Sequence, residues 1–194
     1  MIAVRGIGVR AGGHEILHDV TFDLVPNTFT AVLGANGAGK TTLARAVAGL
    51  QRVASGALEL DGRALVDLRP NERARRIAYM ASDDAVVEGM SVRDVVATAR
   101  YAYHEWWDWT EHAGDARAIA AALDAVAMEA FTGRGFESLS SGERQRVWLA
   151  AGLAQEAPLL VLDEATSHLD VRVAHEILQL LREQRDLGKT VVCV

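Results

Sequence analysis

The sequence predicts an α/β fold with a mainly parallel sheet at its core, an antiparallel β sub-domain and an inserted helical sub-domain. Three observations carry this. Short apolar runs alternate with longer helical patterns along the chain. One such run, "TFTAVL" (28–33), enters the glycine-rich loop "GANGAGKT" (34–41), and a helical pattern follows at once. A second run, "LLVL" (159–162), ends in two adjacent carboxylates, Asp163 and Glu164.

The elements follow in order. "ILHDVTFDL" (16–24) alternates partly, as a half-buried strand does. "TFTAVL" is a compact strand running into Gly34. "KTTLARAVAGL" (40–50) is a helix with Gly49 near its end. "GALELDGRAL" (56–65) reads as a hairpin turning at Asp61-Gly62. "RRIAYM" (75–80) is another strand. From Ser82 to Ala154 the texture changes, and alanine-rich segments such as "DARAIAAALDAVAMEAF" (115–131) predict helices. "LLVL" returns as a buried strand, "VRVAHEILQLLREQRDL" (171–187) is an amphipathic helix stopped by Gly188, and "TVVCV" (190–194) starts one more strand. A single domain over 1–194 is expected. Its core is 1–81 with 155–194, and 82–154 is the helical insertion.

Composition excludes several classes. At 194 residues the chain is long enough for a sizeable core. A formal net charge of -6 argues against a general nucleic-acid binder. Cys193 is the only cysteine, so no disulfide framework is expected and a reducing compartment fits. No apolar run approaches the roughly 18 residues of a membrane span, and "MIAVRGIGVR" lacks the long apolar region of a secretion signal. Any work at a membrane needs something else to hold the chain there.

The glycine loop matches G-x-x-x-x-G-K-[ST] between a strand and a helix. Small residues let backbone N–H groups turn inward around phosphate oxygens, and the helix N-terminus adds the positive end of its dipole. Gly34, Ala35, Asn36, Gly37, Ala38, Gly39, Lys40, Thr41 and Thr42 are therefore the candidate ATP cradle. Lys40 would reach the β- and γ-phosphates, and the Thr41 hydroxyl would ligate Mg²⁺. A flexible glycine turn is the bland alternative, and the strand and helix context argues against it. Asp163 stands at a strand tip, where open α/β sheets place ligands, and suits a Mg²⁺ contact. Glu164 is suited to orient or deprotonate an attacking water. A solvated strand end would explain that pair alone, but not the pair together with the loop.

"LSSGERQ" (139–145) raises a further question. Ser140 and Glu143 have capping-box spacing, so a second glycine turn sits on a helix N-terminus. The order "GANGAGKT", "LSSGERQ", "LLVLDE", "TSHLD" resembles the ATP-binding cassette (ABC) ATPases: Walker A, signature, Walker B and D-loop. The texture of 139–170 is most similar to ATPases of iron-siderophore, haem and cobalamin importers. The resemblance implies a P-loop NTPase of ABC type, with ATP and Mg²⁺ as cofactors. It implies a homodimer or pseudo-dimer in which Ser140, Ser141, Gly142 and Glu143 act on the partner's ATP. Asp170 would link the two subunits. Integral membrane permease subunits would complete the importer and hold it at the inner face of the cell membrane, with no nucleic acid involved.

Departures from the family pattern are visible. Ala11 stands where an aromatic usually stacks on adenine, and such stacking is worth on the order of 1–3 kcal/mol elsewhere. Ser82 replaces a Gln that contacts Mg²⁺, and is kept as a further metal candidate. Ser141 replaces a glycine, and Ala165 replaces a proline. The family's switch His is expected beyond Val194, so the chain reads as truncated at its C-terminus and poorly active as given. "YAYHEWWDW" (101–109) reads as helix packing or a partner surface. His168 reads as a D-loop contact, and "RPNERARR" (69–76) as solvated surface or a face for lipid or permease. Two other readings stand beside the importer: a soluble ABC ATPase in nucleic-acid maintenance or translation, and a degenerate nucleotide-binding regulatory subunit.

Overall fold

The computed structural model describes residues 1–81, 86–104, 110, 112–164 and 170–194. Ser82, Trp106, Trp107, Trp109, Ala165 and His168, singled out above, lie outside the described residues.

Two four-stranded sheets organise the described residues. The first runs β2-β1-β4-β5, all antiparallel, from β1 (Ile2–Ala11), β2 (His14–Leu24), β4 (Ser55–Leu60) and β5 (Arg63–Ala64). The second is parallel, in the order β3-β8-β7-β6, from β3 (Phe29–Ala31), β6 (Ile77–Ala81), β7 (Leu159–Asp163) and β8 (Thr190–Cys193). The expected parallel core and antiparallel sheet are both present. β1 was not anticipated: register shifts between Val4 and Arg10 break the alternation of a half-buried strand. The Asp61-Gly62 turn between β4 and β5 has positive φ at both residues, 51° and 76°, as a tight hairpin requires.

The helices are α1 (Lys40–Val47), α2 (Pro70–Ala74), α3 (Val92–Ala97), α4 (Ala113–Ala125), α5 (Ser141–Ala154) and α6 (Val171–Asp186). Ser91 caps α3 and Ser140 caps α5 in the same way: each hydroxyl accepts from the backbone N–H three residues on, and that residue's carboxylate accepts from the cap's own N–H. The helix expected over 115–131 ends at Ala125, where Ala127 takes a positive φ of 56°. In the basic run Arg69 and Arg75 are exposed and Arg76 is half-buried. Arg75 donates to Ala102 O at 2.7 Å and Arg76 to Glu72 O at 2.9 Å, tying α2 down.

β7 is buried along its whole length, as a central parallel strand should be. Its side chains divide by period two. Leu159 and Val161 pack with α1 and the antiparallel sheet, and Leu160 and Leu162 pack with α3, α4, α5 and α6. β6 and β8 divide the same way, with Ile77 and Val192 on the α1 side and Ala78, Met80 and Val191 on the other. The parallel sheet is thus covered on both faces, and its strand tips are left for chemistry.

Candidate functional site

The site is built where α1 crosses the tip of β7. The loop 34–38 is exposed, and the chain enters α1 through Gly39, whose φ is 88°. A side chain there would be strained by that φ, and a Cβ would also stand 2.9 Å from Leu17 Cδ2 and 3.2 Å from Ile16 O. β2 therefore buttresses the loop, and only glycine allows the approach. Lys40 is half-buried and donates through Nζ to Ala35 O at 3.2 Å, across its own loop.

Thr41 and Asp163 are 122 residues apart in sequence and meet here. The Thr41 hydroxyl donates to Asp163 Oδ1 at 3.0 Å. Asp163 is only 4% exposed, so its carboxylate needs partners. The second is Tyr79 on β6, whose hydroxyl donates to Asp163 Oδ2 at 2.7 Å, while Arg45 Nε donates to that hydroxyl at 3.3 Å. Burial pushes the Tyr79 phenol above its usual range; Arg45 opposes this, and Asp163 adds to it. The phenol therefore keeps its proton at neutral pH.

The fold explains the convergence. Ala81 pairs with Asp163 and Tyr79 with Val161 in parallel register, so Tyr79 and Asp163 share one face of the sheet. Thr41 and Arg45 lie four apart on α1, on the same side of the helix, which packs on that face. A hard dication fits this place: a hydroxyl and a carboxylate oxygen converge at a helix N-terminus, both of them the oxygen donors Mg²⁺ prefers. Among the described residues no cluster of three His, Cys, Asp or Glu suggests a different, softer metal.

Glu164 leaves β7 with a positive φ of 54°, a rare conformation for a non-glycine residue, and its N–H donates to Val194 O at 2.9 Å. Its side chain is exposed beyond the strand tip. Asp170 caps α6, its Oδ1 accepting from Arg172 N at 2.8 Å. Ala11 ends β1 opposite His14 and is exposed.

Ser140 and Ser141 at the start of α5 are exposed. The hydroxyl and N–H of Ser140 hold the Glu143 carboxyl below its usual range. Ser141 lies inside the first turn of the helix and is not among the residues with positive φ, so its own chain has no need of a glycine there. Among the described residues, a Cβ on Gly142 would meet only Val173 Cγ1 at 3.9 Å, ordinary contact. Two site residues, Tyr79 and Arg45, were not anticipated. Their signal, a phenol on a strand and a guanidinium one turn into a helix, gains meaning only once β6 lies beside β7.

A glycine loop after a parallel strand, opening a helix whose threonine meets a strand-end aspartate, defines a phosphate-loop nucleoside triphosphatase. Residues 17–167 match the ABC transporter family, and the chain belongs to that family as an ABC-type ATPase. It is 37% identical over 194 residues to the hemin import ATP-binding protein HmuV of Streptomyces coelicolor, spanning all of this chain and 68% of that protein. It is 31% identical over 194 residues to the iron(3+)-hydroxamate import ATP-binding protein FhuC of Bacillus subtilis, spanning all of this chain and 72% of that protein. A solved ATP-binding subunit of an ABC transporter superposes with a TM-score of 0.81 at 26% identity, covering 100% of this chain and 78% of the other. Among the described residues no helix is long and apolar enough to cross a membrane.

Proposed function

We propose that this chain is the ATP-hydrolysing motor subunit of a membrane importer, with iron chelates or haem as its class of cargo. The printed functions of its relatives support the cargo class. The observation that carries the motor reading is the contact of Thr41 with Asp163 beneath the glycine loop. In this reading residues 34–42 wrap the phosphates of ATP, and Lys40 leaves Ala35 O to meet the β- and γ-phosphates. Thr41 and Asp163 would hold Mg²⁺, which supplies charge neutralisation on those phosphates, with Ser82 as a further candidate ligand. Glu164, at the exposed strand tip, orients or deprotonates the attacking water.

The signature belongs to a second copy's nucleotide in the same reading. Ser140, Ser141, Gly142 and Glu143 stand at a capped helix N-terminus facing solvent, and among the described residues nothing requires glycine at 142. A small residue there leaves room for another subunit's phosphate to approach the helix dipole. Asp170 at the start of α6 would carry contact across that pair. The assembly is a head-to-tail pair of ATPases docked on integral membrane subunits at the cytoplasmic face. Residues 1–81 with 155–194 form the nucleotide-binding core, and 82–154 the helical part that bears the signature.

Two variants test this. Lys40→Ala is expected to lower ATP affinity by at least tenfold in calorimetry, because the phosphates lose their principal cation. Glu164→Gln is expected to keep ATP binding, stop water activation and let ATP-bound dimers accumulate in sedimentation with Mg²⁺. Equal ATP affinity with and without Lys40 would overturn the phosphate-loop assignment. Monomers at every ATP concentration would overturn the paired arrangement.

A further inference from the structure

Among the described residues hydrogen-bonded around Asp163, two lie outside the phosphate loop, the strand-end carboxylates and the signature. Tyr79 and Arg45 belong to no motif, yet they reach the most buried charged group of the site. Asp163 has two carboxylate oxygens, and each is taken by a different element: Oδ1 by Thr41 of α1 at 3.0 Å, and Oδ2 by Tyr79 of β6 at 2.7 Å. A phenol has one proton. Tyr79 gives it to Asp163, and its lone pair then accepts from Arg45 Nε at 3.3 Å. The donor and acceptor roles close without conflict in one direction only, guanidinium to phenol to carboxylate.

That direction has a consequence for metal holding. A carboxylate free to rotate about its χ2 torsion presents either oxygen and loses that freedom when it binds a cation. With Oδ2 pinned by Tyr79, Asp163 is held with Oδ1 against the Thr41 hydroxyl before any ligand arrives. Groups that hydrogen-bond a ligating carboxylate fix its orientation, and their loss typically costs about 10–100-fold in metal affinity. We propose that Tyr79, backed by Arg45, is a positioning residue that pre-orients the Asp163 carboxylate for the divalent cation of MgATP. The proposal rests on the reading of Asp163 as a metal ligand. It assigns no contact with nucleotide to either residue.

Tyr79→Phe keeps the ring and removes one oxygen. ATP affinity is measured by calorimetry in EDTA and across a Mg²⁺ series, for the wild-type chain, Tyr79→Phe, Arg45→Met and Asp163→Asn. Tyr79→Phe is expected to bind metal-free ATP within about twofold of wild type, and to need about tenfold more Mg²⁺ for half-maximal enhancement of binding. Arg45→Met is expected to shift the Mg²⁺ requirement the same way by a smaller factor. It also keeps the proposal testable should Tyr79→Phe fold poorly. An unchanged Mg²⁺ requirement in Tyr79→Phe overturns the proposal, and so does an equal loss of affinity in EDTA, which marks a structural role only. If Asp163→Asn alters the Mg²⁺ requirement and Tyr79→Phe does not, only the positioning role falls. If Asp163→Asn leaves it unaltered, the metal-ligand reading falls and takes the positioning role with it.

Discussion

At the scale of single residues, Gly39 shows how local conformation and distant packing select one amino acid. Its φ of 88° lies in the left-handed region, which costs an L-residue roughly 1–2 kcal/mol. Its missing side chain also leaves room for Leu17 and Ile16 on β2. Gly39→Ala is therefore expected to destabilise the chain by about 2 kcal/mol from backbone strain and crowding together. It should also weaken ATP binding, because Lys40 and Thr41 follow directly on the strained peptide. Urea unfolding and calorimetry on the same variant check both effects. Gly37 has a positive φ of 79° but nothing within 4 Å of its Cβ position among the described residues, so Gly37→Ala should cost only the strain.

At the scale of the element, α5 separates a structural role from the proposed signature role within three residues. Ser140 caps the helix, and its replacement by alanine removes the acceptor for Glu143 N. Ser140→Ala is expected to cost about 1 kcal/mol of stability. Gly142 shows no such role among the described residues, where a Cβ finds only ordinary contact with Val173. Gly142→Trp is expected to leave the ATP affinity of the monomer unchanged and to abolish ATP-dependent pairing. Sedimentation with and without ATP separates the two variants. Weakened ATP binding by the Gly142→Trp monomer would place the signature against its own chain's nucleotide.

At the scale of the whole molecule, a buried charge network ties α4 and the end of α5 to the segment that leads into β7. Arg100 is 6% exposed and donates to Asp115 Oδ1 of α4 at 2.8 Å, to Ala154 O at the end of α5 at 2.8 Å, and to Glu156 before β7 at 2.7 Å. Its guanidinium lies 3.9 Å from the centre of the Tyr103 ring. Asp115→Asn removes one of the two carboxylates paired with Arg100 and leaves Glu156 as its counter-charge, so it is expected to cost about 2 kcal/mol, as hydrogen bonds to charged groups do, read as a lower urea midpoint. Burial disfavours the charged form of Asp115, but the Arg100 guanidinium and the His112 N–H outweigh it and hold the carboxyl below its usual range. A lowered folded value means this stabilisation is present above the ordinary aspartate range and is lost as pH falls below it, under about pH 4. Wild-type stability should drop steeply there, and Asp115→Asn should flatten that drop.

Contiguous features were legible in the sequence. The loop 34–41, the strand ending at Asp163, the cap at Ser140 and the turn at Asp61-Gly62 each depend on neighbours within a few residues, so the order of residue types suffices to read them. The two-sided burial of β7 was legible as well, because an unbroken apolar run can be satisfied only with cover on both faces. β1 was not legible, since register shifts break its period. Nor was the clamp on Asp163, whose members Thr41, Arg45 and Tyr79 come from segments up to 122 residues away. A hydrogen bond between side chains on neighbouring strands depends on which strands pair and in what register. Those are decided by the burial of both sheet faces at once, a global condition that no short stretch encodes. The sequence by itself determined the phosphate loop and the carboxylates at the strand end; only the tertiary structure decided that a tyrosine from β6 holds the buried one in place.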